Sequence, residues 1–267
     1  MTALPVLTHR VDGDGPPLLL LNGGMMSFGA WEPVARRLVE RHRVIRCDFR
    51  GQLLSPGSPP RDFREHADDL VEVLDATGTE SAHVVGTSFG AEAGIVLAAR
   101  FPGRVASLAL VTATDLFTPL MKEGGDILRA ACRDALCGGD RALVYDVMSV
   151  SAFSPAWREA NASLLATRRY TVGFLPDAWF SGLDGLLSSL EGLDLRPELA
   201  NIACSTLVVS AELDLVMPRE RSEALARSIF GAKTAVVTGS GHALVVEKPE
   251  ELLSLLEPFL AATDPAA

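Results

Sequence analysis

The sequence predicts an α/β fold, in which a mostly parallel, doubly wound sheet is interrupted by an inserted block of helices. Short apolar runs alternate with segments of helical spacing towards both ends of the chain, a pattern typical of parallel sheets. Some runs, such as residues 18–21, are apolar at every position, as expected for strands buried on both faces. Residues 116–199 lack such runs and carry helix-like patterns instead.

The first part of the sheet is predicted from residues 1–115. Strands are expected, in chain order, at residues 6–11, 18–21, 44–47, 82–86 and 105–112. Helices, recognised by apolar residues every three or four positions, are expected at residues 31–40, 63–76 and 89–101. Clusters of Gly and Pro separate these elements and indicate turns.

The alternation resumes after residue 199. Strands are expected at residues 206–210 and 234–237, and helices at residues 219–230 and 249–260. Between the two parts, helix-like stretches occupy residues 127–136, 142–150 and 157–170, followed by a glycine-punctuated segment at 181–185. We therefore divide the chain into a core, residues 1–115 and 200–267, and a helical cap inserted at residues 116–199.

The pattern G-x-S-x-G, formed by Gly86, Ser88 and Gly90, lies between the fourth predicted strand and the next helix. A tight turn there forces the serine into a strained backbone conformation and lifts its hydroxyl clear of the sheet. The two glycines remove side chains that would collide in such a turn, and the following helix directs its N-terminal N–H groups toward Ser88. An inert serine in a glycine-rich turn would have the same sequence pattern. Other residues of the chain must therefore show whether Ser88 is a nucleophile.

With three further motifs in matching order, the chain resembles the α/β-hydrolase superfamily, specifically its single-domain members with a helical cap. Asn22-Gly23-Gly24 follows a predicted strand where many members have His-Gly-x. Asp48-Phe49-Arg50-Gly51 follows the next strand, where D-x-R-G is common. Late in the chain, Asp214 and then His242 follow predicted strands. Together with Ser88 they give the order Ser, Asp, His, which is the order expected of this fold. The resemblance covers nearly the whole chain outside the cap.

The resemblance implies that Ser88 is a nucleophile, that His242 is its general base and that Asp214 orients the base. A serine hydroxyl needs an adjacent base at neutral pH, and the base needs a carboxylate that fixes its tautomer. Asp115, after the strand that ends near residue 112, and Glu212 are alternatives to Asp214.

The resemblance also supplies two backbone donors for a developing oxyanion, the N–H groups of Phe89 and Gly24. Asn22 replaces the usual histidine and is expected to brace its loop through backbone hydrogen bonds. Asp48 and Arg50 are either loop braces or solvated charges.

Apolar and aromatic cap residues are expected to roof the cleft and to accept an apolar acyl or alcohol group, although the same spacing is typical of a core. The expected wall residues are Met25, Met121, Trp157 and Trp179. Two cap arginines, Arg168 and Arg169, are expected to be solvated unless one meets a substrate carboxylate.

The remaining histidines and the cysteines are expected to be structural or inert. His83 lies inside a predicted strand, whereas His9, His42 and His66 are expected to be exposed. The histidines lack metal-ligand spacing, so neither a metal nor another cofactor is expected. No C-x-x-C pair joins the four cysteines, which predicts reduced, mostly buried thiols, at Cys47, Cys132, Cys137 and Cys204.

The resemblance implies a serine hydrolase that cleaves a carboxylic ester or a related acyl bond through an acyl-enzyme. These motifs do not separate esterases from thioesterases, lactonases, carbon–carbon bond hydrolases, perhydrolases or acyltransferases. From another class, a ligand-sensing signalling protein on the same fold is the alternative.

Charge and hydropathy argue against nucleic acid and a membrane as partners, and the resemblance implies a small-molecule acyl substrate. The net charge is −10 and no basic block stands out, which argues against nucleic acid. The apolar run at residues 18–21 is too short to span a membrane. The N-terminus lacks a charged region followed by a long apolar one. We expect no signal peptide and a cytoplasmic monomer or homodimer.

Overall fold

A computed structural model describes residues 7–55 and 57–264. These residues form a seven-stranded sheet in the order β1-β3-β2-β4-β5-β6-β7. Its strands are β1 (His9–Asp12), β2 (Pro17–Leu21), β3 (Arg43–Cys47), β4 (Ala82–Thr87), β5 (Val105–Val111), β6 (Ser205–Ala211) and β7 (Lys233–Val237). β1 runs antiparallel to β3 and every other pair is parallel. The predicted α/β class is confirmed; the start of the first predicted strand, residue 6, lies outside the described residues.

Helices cover both faces of this sheet, and the first follows a 3₁₀ turn at Phe28–Trp31. They are α1 (Glu32–Leu38), α2 (Glu65–Ala76), α3 (Phe89–Arg100), α4 (Pro119–Leu136), α5 (Leu143–Ala152), α6 (Pro155–Ala160), α7 (Ala162–Val172), α8 (Asp177–Ser189), α9 (Arg196–Leu199), α10 (Arg219–Ser228), α11 (Leu244–Glu247) and α12 (Pro249–Thr263). In the described part of the chain, none combines the length and the apolar character needed to cross a bilayer.

The alternation of side chains along β2 explains why its sequence is apolar throughout. Leu18 and Leu20 pack into the hydrophobic cluster that contains α1, α11 and α12. Leu19 and Leu21 pack into the opposite cluster, which contains α2, α3 and α10. Successive side chains of a strand point to opposite faces, so a strand covered on both sides needs four apolar residues in succession.

Between β5 and β6 in the chain, helices α4, α5, α7 and α8 form a separate hydrophobic cluster. The two ends of this inserted segment lie side by side through an antiparallel bridge between Leu116 and Asp194. Phe117 N–H donates to the Leu193 carbonyl (2.9 Å) beside that bridge. The division of the chain at residues 116 and 199 stays a prediction, and α9, which lies inside the predicted cap, packs on core helix α3.

The structure corrects two cap predictions. The single helix predicted at 157–170 is split at Asn161, whose side-chain amide donates to the Trp157 carbonyl (2.9 Å) and so competes with the helical backbone bonds. Residues 181–185, set apart from the predicted helices as a glycine-punctuated segment, lie within α8. Gly182 serves close packing there, because a Cβ would come 1.9 Å from the carbonyl oxygen of Gly51 in the core.

The prediction that His42 and His66 are exposed is wrong. His66 is fully buried, with its ring 4.9 Å from the Phe89 ring and edge-on to it. Burial lowers the pKa of His66 to about 3, so it is neutral and packs as an aromatic residue. His42 is buried beneath α12, with its ring 6.3 Å from that of His83.

Candidate active site

Ser88 lies in the turn between β4 and α3 in a strained conformation. Its backbone angles are φ 52° and ψ −127°, a positive-φ region that residues with a side chain rarely adopt. Its N–H donates to the Val111 carbonyl (2.9 Å), which anchors the turn to the neighbouring strand. A Cβ at Gly86 would lie 2.4 Å from the Gly90 carbonyl oxygen, and one at Gly90 would lie 2.5 Å from that of Leu21. Both flanking glycines are therefore required by space.

Loops that follow two other strands bring His242 and Asp214 to Ser88. His242 Nε2 lies 2.9 Å from Ser88 Oγ, and His242 Nδ1 lies 2.8 Å from Asp214 Oδ2. Asp214 Oδ1 accepts the N–H groups of Val216 and Met217, each at 2.8 Å. These bonds fix the carboxylate, whose side chain is 1% exposed, against an imidazole that is 12% exposed.

The two alternative acids point to other partners. Asp115 is buried and pairs with Arg221 of α10. Glu212 accepts the N–H of Gly239 through Oε2 (2.8 Å). Of the three carboxylates, Asp214 is the one hydrogen-bonded to His242.

A second Ser–His–Asp alignment lies at the opposite end of the sheet. His83 Nδ1 is 2.8 Å from Ser107 Oγ, and His83 Nε2 is 2.9 Å from Asp264 Oδ1 at the end of α12. Ser107 is fully buried within β5, so its hydroxyl has neither the turn nor the access of Ser88. Burial, the largest cause, lowers the pKa of His83, in accord with its predicted structural role.

The two predicted oxyanion donors belong to Phe89, the residue after Ser88, and to Gly24, in the loop after β2. A Cβ built on Gly23 would be 3.6 Å from Ser88 Cβ, so the loop after β2 borders the serine. Gly23 donates its own N–H to Met26 Sδ (3.2 Å). Among the hydrogen bonds of residues 7–55 and 57–264, none uses the N–H of Gly24 or Phe89. Neither N–H is therefore committed to another described residue, and the oxyanion role of both stays a prediction.

Asn22 and Gln52 together brace the loop after β2. Asn22 Nδ2 donates to the Cys47 carbonyl (2.9 Å) and to Gln52 Oε1 (3.1 Å). Gln52 Nε2 donates to the carbonyls of Gly23 (2.8 Å) and Gly24 (3.2 Å). Sequence reasoning expected the bracing by Asn22 but missed Gln52, whose signal was its place directly after the D-x-R-G segment.

Asp48 and Arg50 both act as loop braces, rather than as solvated charges. Asp48 is fully buried, and its Oδ1 accepts the Phe28 N–H (2.7 Å) while Oδ2 accepts the Leu54 N–H (3.1 Å). Burial, the largest cause, raises the pKa of Asp48, against the lowering effect of these bonds. Arg50 pairs with Asp69 of α2 (2.7 Å).

Gln52→Ala is expected to lower kcat by about 10²-fold, the loss typical of a displaced oxyanion donor, because the Gly24 carbonyl loses its support. Steady-state kinetics on an ester substrate measures this loss. Gln52→Glu is the more specific variant, because it keeps the size of the side chain but has no N–H to donate to the carbonyls of Gly23 and Gly24. Wild-type kcat in both variants would show that the loop holds its position without Gln52.

Glu92 is a second residue near the site that sequence reasoning missed. It lies one helical turn after Ser88, is fully buried, and accepts the Thr114 N–H through Oε1 (2.9 Å). Burial raises the pKa of Glu92 well above its usual range, and the Asp214 charge adds to the effect. A lone carboxyl group in an otherwise apolar helix was the available signal. Through this bond to Thr114, Glu92 fixes the loop after β5, which also contains the alternative acid Asp115.

The four predicted wall residues lie in different surroundings. Met25, next to Gly24, packs against the cap cluster that contains Trp179. Trp179 is itself 8% exposed and meets the Phe180 ring edge-on. Met121 is buried in the first turn of α4, whereas Trp157 stacks on Phe153 with ring centroids 4.5 Å apart. Their roles as pocket walls stay predictions.

The two cap arginines also differ in their surroundings. Arg169 pairs with Asp146 on the cap surface (2.8 Å). Arg168 lies close enough to Tyr145 to counteract the rise in pKa that burial imposes on that hydroxyl.

The arrangement around Ser88 has the parts needed for nucleophilic catalysis. A hydroxyl lies within hydrogen-bond reach of an imidazole, and the imidazole is oriented by a carboxylate. A proton on His242 Nδ1 bonds to Asp214, which leaves Nε2 free to accept the Ser88 proton. The N–H groups of Phe89 and Gly24 are the predicted donors to the negative charge that develops on a substrate oxygen.

Comparison with known proteins finds a matching family and full-length relatives. Residues 16–130 match the model of a family described as alpha/beta hydrolase fold. The chain is 30% identical over 262 residues to "Putative carbamate hydrolase RutD" of Azorhizobium caulinodans, covering 97% of this chain and 96% of the relative.

Two solved structures superpose on nearly the whole length of this chain. An alpha/beta hydrolase enzyme from a Medee basin deep-sea metagenome library superposes with a TM-score of 0.89 at 22% identity, covering 98% of this chain and 96% of its own, a likeness of fold alone. The enol-lactonase from Burkholderia xenovorans is 25% identical, with a TM-score of 0.84 and 96% of each chain covered.

Proposed function

The chain belongs to the alpha/beta hydrolase fold family, and we propose that it is a serine hydrolase that cleaves a carboxylic ester or a related acyl bond. The observation that carries the proposal is the contact of His242 with Ser88 Oγ at 2.9 Å and with Asp214 at 2.8 Å. Ser88 lies in a positive-φ turn at the start of α3, as a nucleophile elbow requires.

In the proposed reaction, Ser88 Oγ attacks the substrate carbonyl carbon while His242 Nε2 takes the hydroxyl proton. Asp214 stabilises the resulting imidazolium and keeps the ring oriented. The N–H groups of Phe89 and Gly24 bind the oxyanion. His242 then gives its proton to the leaving group, and water activated by the same histidine releases the acid from the acyl-enzyme. No cofactor takes part in these steps.

Two kinds of acyl bond have specific support. The hydrophobic cluster of the cap, which reaches Met25 beside Gly24, favours an ester with an apolar acyl or alcohol group. The full-length similarity to a relative named as a carbamate hydrolase favours a carbamate, whose carbonyl the same nucleophile can attack. Thioesters, lactones, carbon–carbon bonds and acyl transfer remain alternatives on the same three residues.

A panel of aryl esters and aryl carbamates of increasing acyl length tests the proposal. Release of the aryl alcohol that disappears in Ser88→Ala supports hydrolysis at this serine, and the ratio of kcat/KM values between the two series identifies the preferred bond. A ligand-sensing protein on the same fold would bind members of the panel without turnover, and that result would contradict the proposal.

A further inference from the structure

Glu247 joins the cap to the loop that carries His242. It ends the short helix α11, five residues after His242, and is 7% exposed. Its Oε1 accepts the N–H groups of Ser154 (2.9 Å) and Gly241 (3.1 Å), and its Oε2 accepts the Ser154 hydroxyl (2.6 Å). Ser154 belongs to the cap, whereas Gly241 directly precedes His242. The Glu247 carboxylate therefore bonds both to the cap and to the loop that carries His242.

The backbones of the same two segments are also in direct contact. The Ala152 carbonyl, at the end of α5, accepts the Ala243 N–H (2.8 Å). A Cβ at Gly241 would lie 2.8 Å from the Ala152 carbonyl oxygen, from Glu247 Oε1 and from Ser154 N. The residues on either side of His242 are thus held against the corner between α5 and α6.

Ser154 gives this corner a defined shape. It is 2% exposed and caps α6, since its Oγ accepts the Trp157 N–H (3.3 Å) while its hydroxyl proton goes to Glu247. If the corner moved away, Glu247 would lose two of its three donors, and a buried carboxylate without donors is unfavourable. Its neighbour Lys248 pairs with Glu251 (3.2 Å) and supplies no charge to replace them.

We propose that Glu247 is a positioning residue that couples docking of the cap to alignment of His242 with Ser88. The inference rests on the proposed function, since it takes His242 as the general base. Displacement of a catalytic group by about 1 Å can cost about 10²-fold in rate. The Glu247 bond to Gly241 acts on the residue next to the imidazole, and its bonds to Ser154 make that position depend on the cap.

The first readout is the rate at which a small fluorophosphonate modifies Ser88, which reports alignment without a known substrate. Glu247→Ala is expected to slow this reaction by about 10²-fold. Glu247→Gln is expected to recover most of the rate, because its Oε1 can still accept both N–H groups. If Glu247→Ala does not fold, Glu247→Asp replaces it, since its shorter side chain cannot reach both segments.

The second readout is limited cleavage by trypsin after Arg158 in α6, which requires local opening of the cap corner. Glu247→Ala is expected to speed this cleavage as it slows the modification of Ser88. The matched control is Glu198→Ala: Glu198 is a similarly buried carboxylate that joins α9 to Arg64 (2.8 Å). This control should lower Tm and leave both rates unchanged.

A slower modification together with faster cleavage supports the coupling. If Glu247→Ala loses stability as Glu198→Ala does but keeps both wild-type rates, or if only one rate changes, the coupling is refuted. Absence of labelling at Ser88 in the wild-type protein would instead refute the proposed function, so the two failures are distinguishable.

Discussion

Ser88→Ala is expected to lower kcat by about 10⁶-fold on any ester that the protein hydrolyses, the scale of loss known for a serine nucleophile. The methyl group cannot form the acyl-enzyme, and His242 has no proton to accept. The fold should persist, because Ser88 is partly exposed and its backbone bond to Val111 does not involve the side chain. Burst and steady-state kinetics on one aryl ester measure the loss.

Ser107→Ala is the matched control for that variant. Ser107 lies 2.8 Å from His83, whose other nitrogen lies 2.9 Å from Asp264, so the same three residue types are in line. Its removal should lower Tm and leave kcat unchanged, because the buried strand position lacks an elbow and a path for substrate. If Ser107→Ala were the inactive variant, the nucleophile would have to be reassigned.

Asp214→Asn is expected to lower kcat by about 10⁴-fold. Asp214 Oδ1 is held by the N–H groups of Val216 and Met217, so an asparagine would keep its carbonyl there and turn its amide toward His242 Nδ1. That amide donates a hydrogen bond and would force the histidine proton onto Nε2. Ser88 would then face a donor instead of a base, and single-turnover kinetics would show a slow acylation step.

Asp115→Asn tests the other carboxylate that follows a strand of the sheet. Asp115 pairs with Arg221 rather than with His242, so this variant should lose stability and keep kcat within about tenfold of the wild type. A larger loss of kcat in Asp115→Asn than in Asp214→Asn would contradict the assigned acid.

The fold and the position of Ser88 could be predicted because their signals are local. Strand β2 shows as a continuous apolar run, since both of its faces are covered. The elbow shows as two glycines around a serine between a strand and a helix. The structure explains both glycines, because a Cβ at either position would lie less than 3 Å from backbone atoms.

The contacts that brace the site could not be predicted because they join residues far apart in the chain. Placement in the sequence favoured Asp214 and left Asp115 as an alternative, and the partner of each, His242 or Arg221, separates them in the structure. Gln52 and Glu247 act on backbone groups 28 and 93 residues away, in Gly24 and Ser154.

Local signals also misled in the cap and at two histidines, His42 and His66. The glycines of α8 set residues 181–185 apart from the predicted helices, whereas Gly182 permits a close helix–loop contact. His66 signalled an exposed polar residue, whereas it packs as a neutral ring against Phe89.

The most direct test of Ser88 as the nucleophile is peptide mapping after reaction with a fluorophosphonate, which modifies an activated serine far faster than an ordinary one. We predict one adduct, on the peptide that contains Ser88, and its loss in Ser88→Ala. The reaction should also slow sharply when His242 is replaced by alanine, because the base that activates the hydroxyl is gone. An adduct on another residue, or no adduct in a folded wild-type protein, would contradict the account.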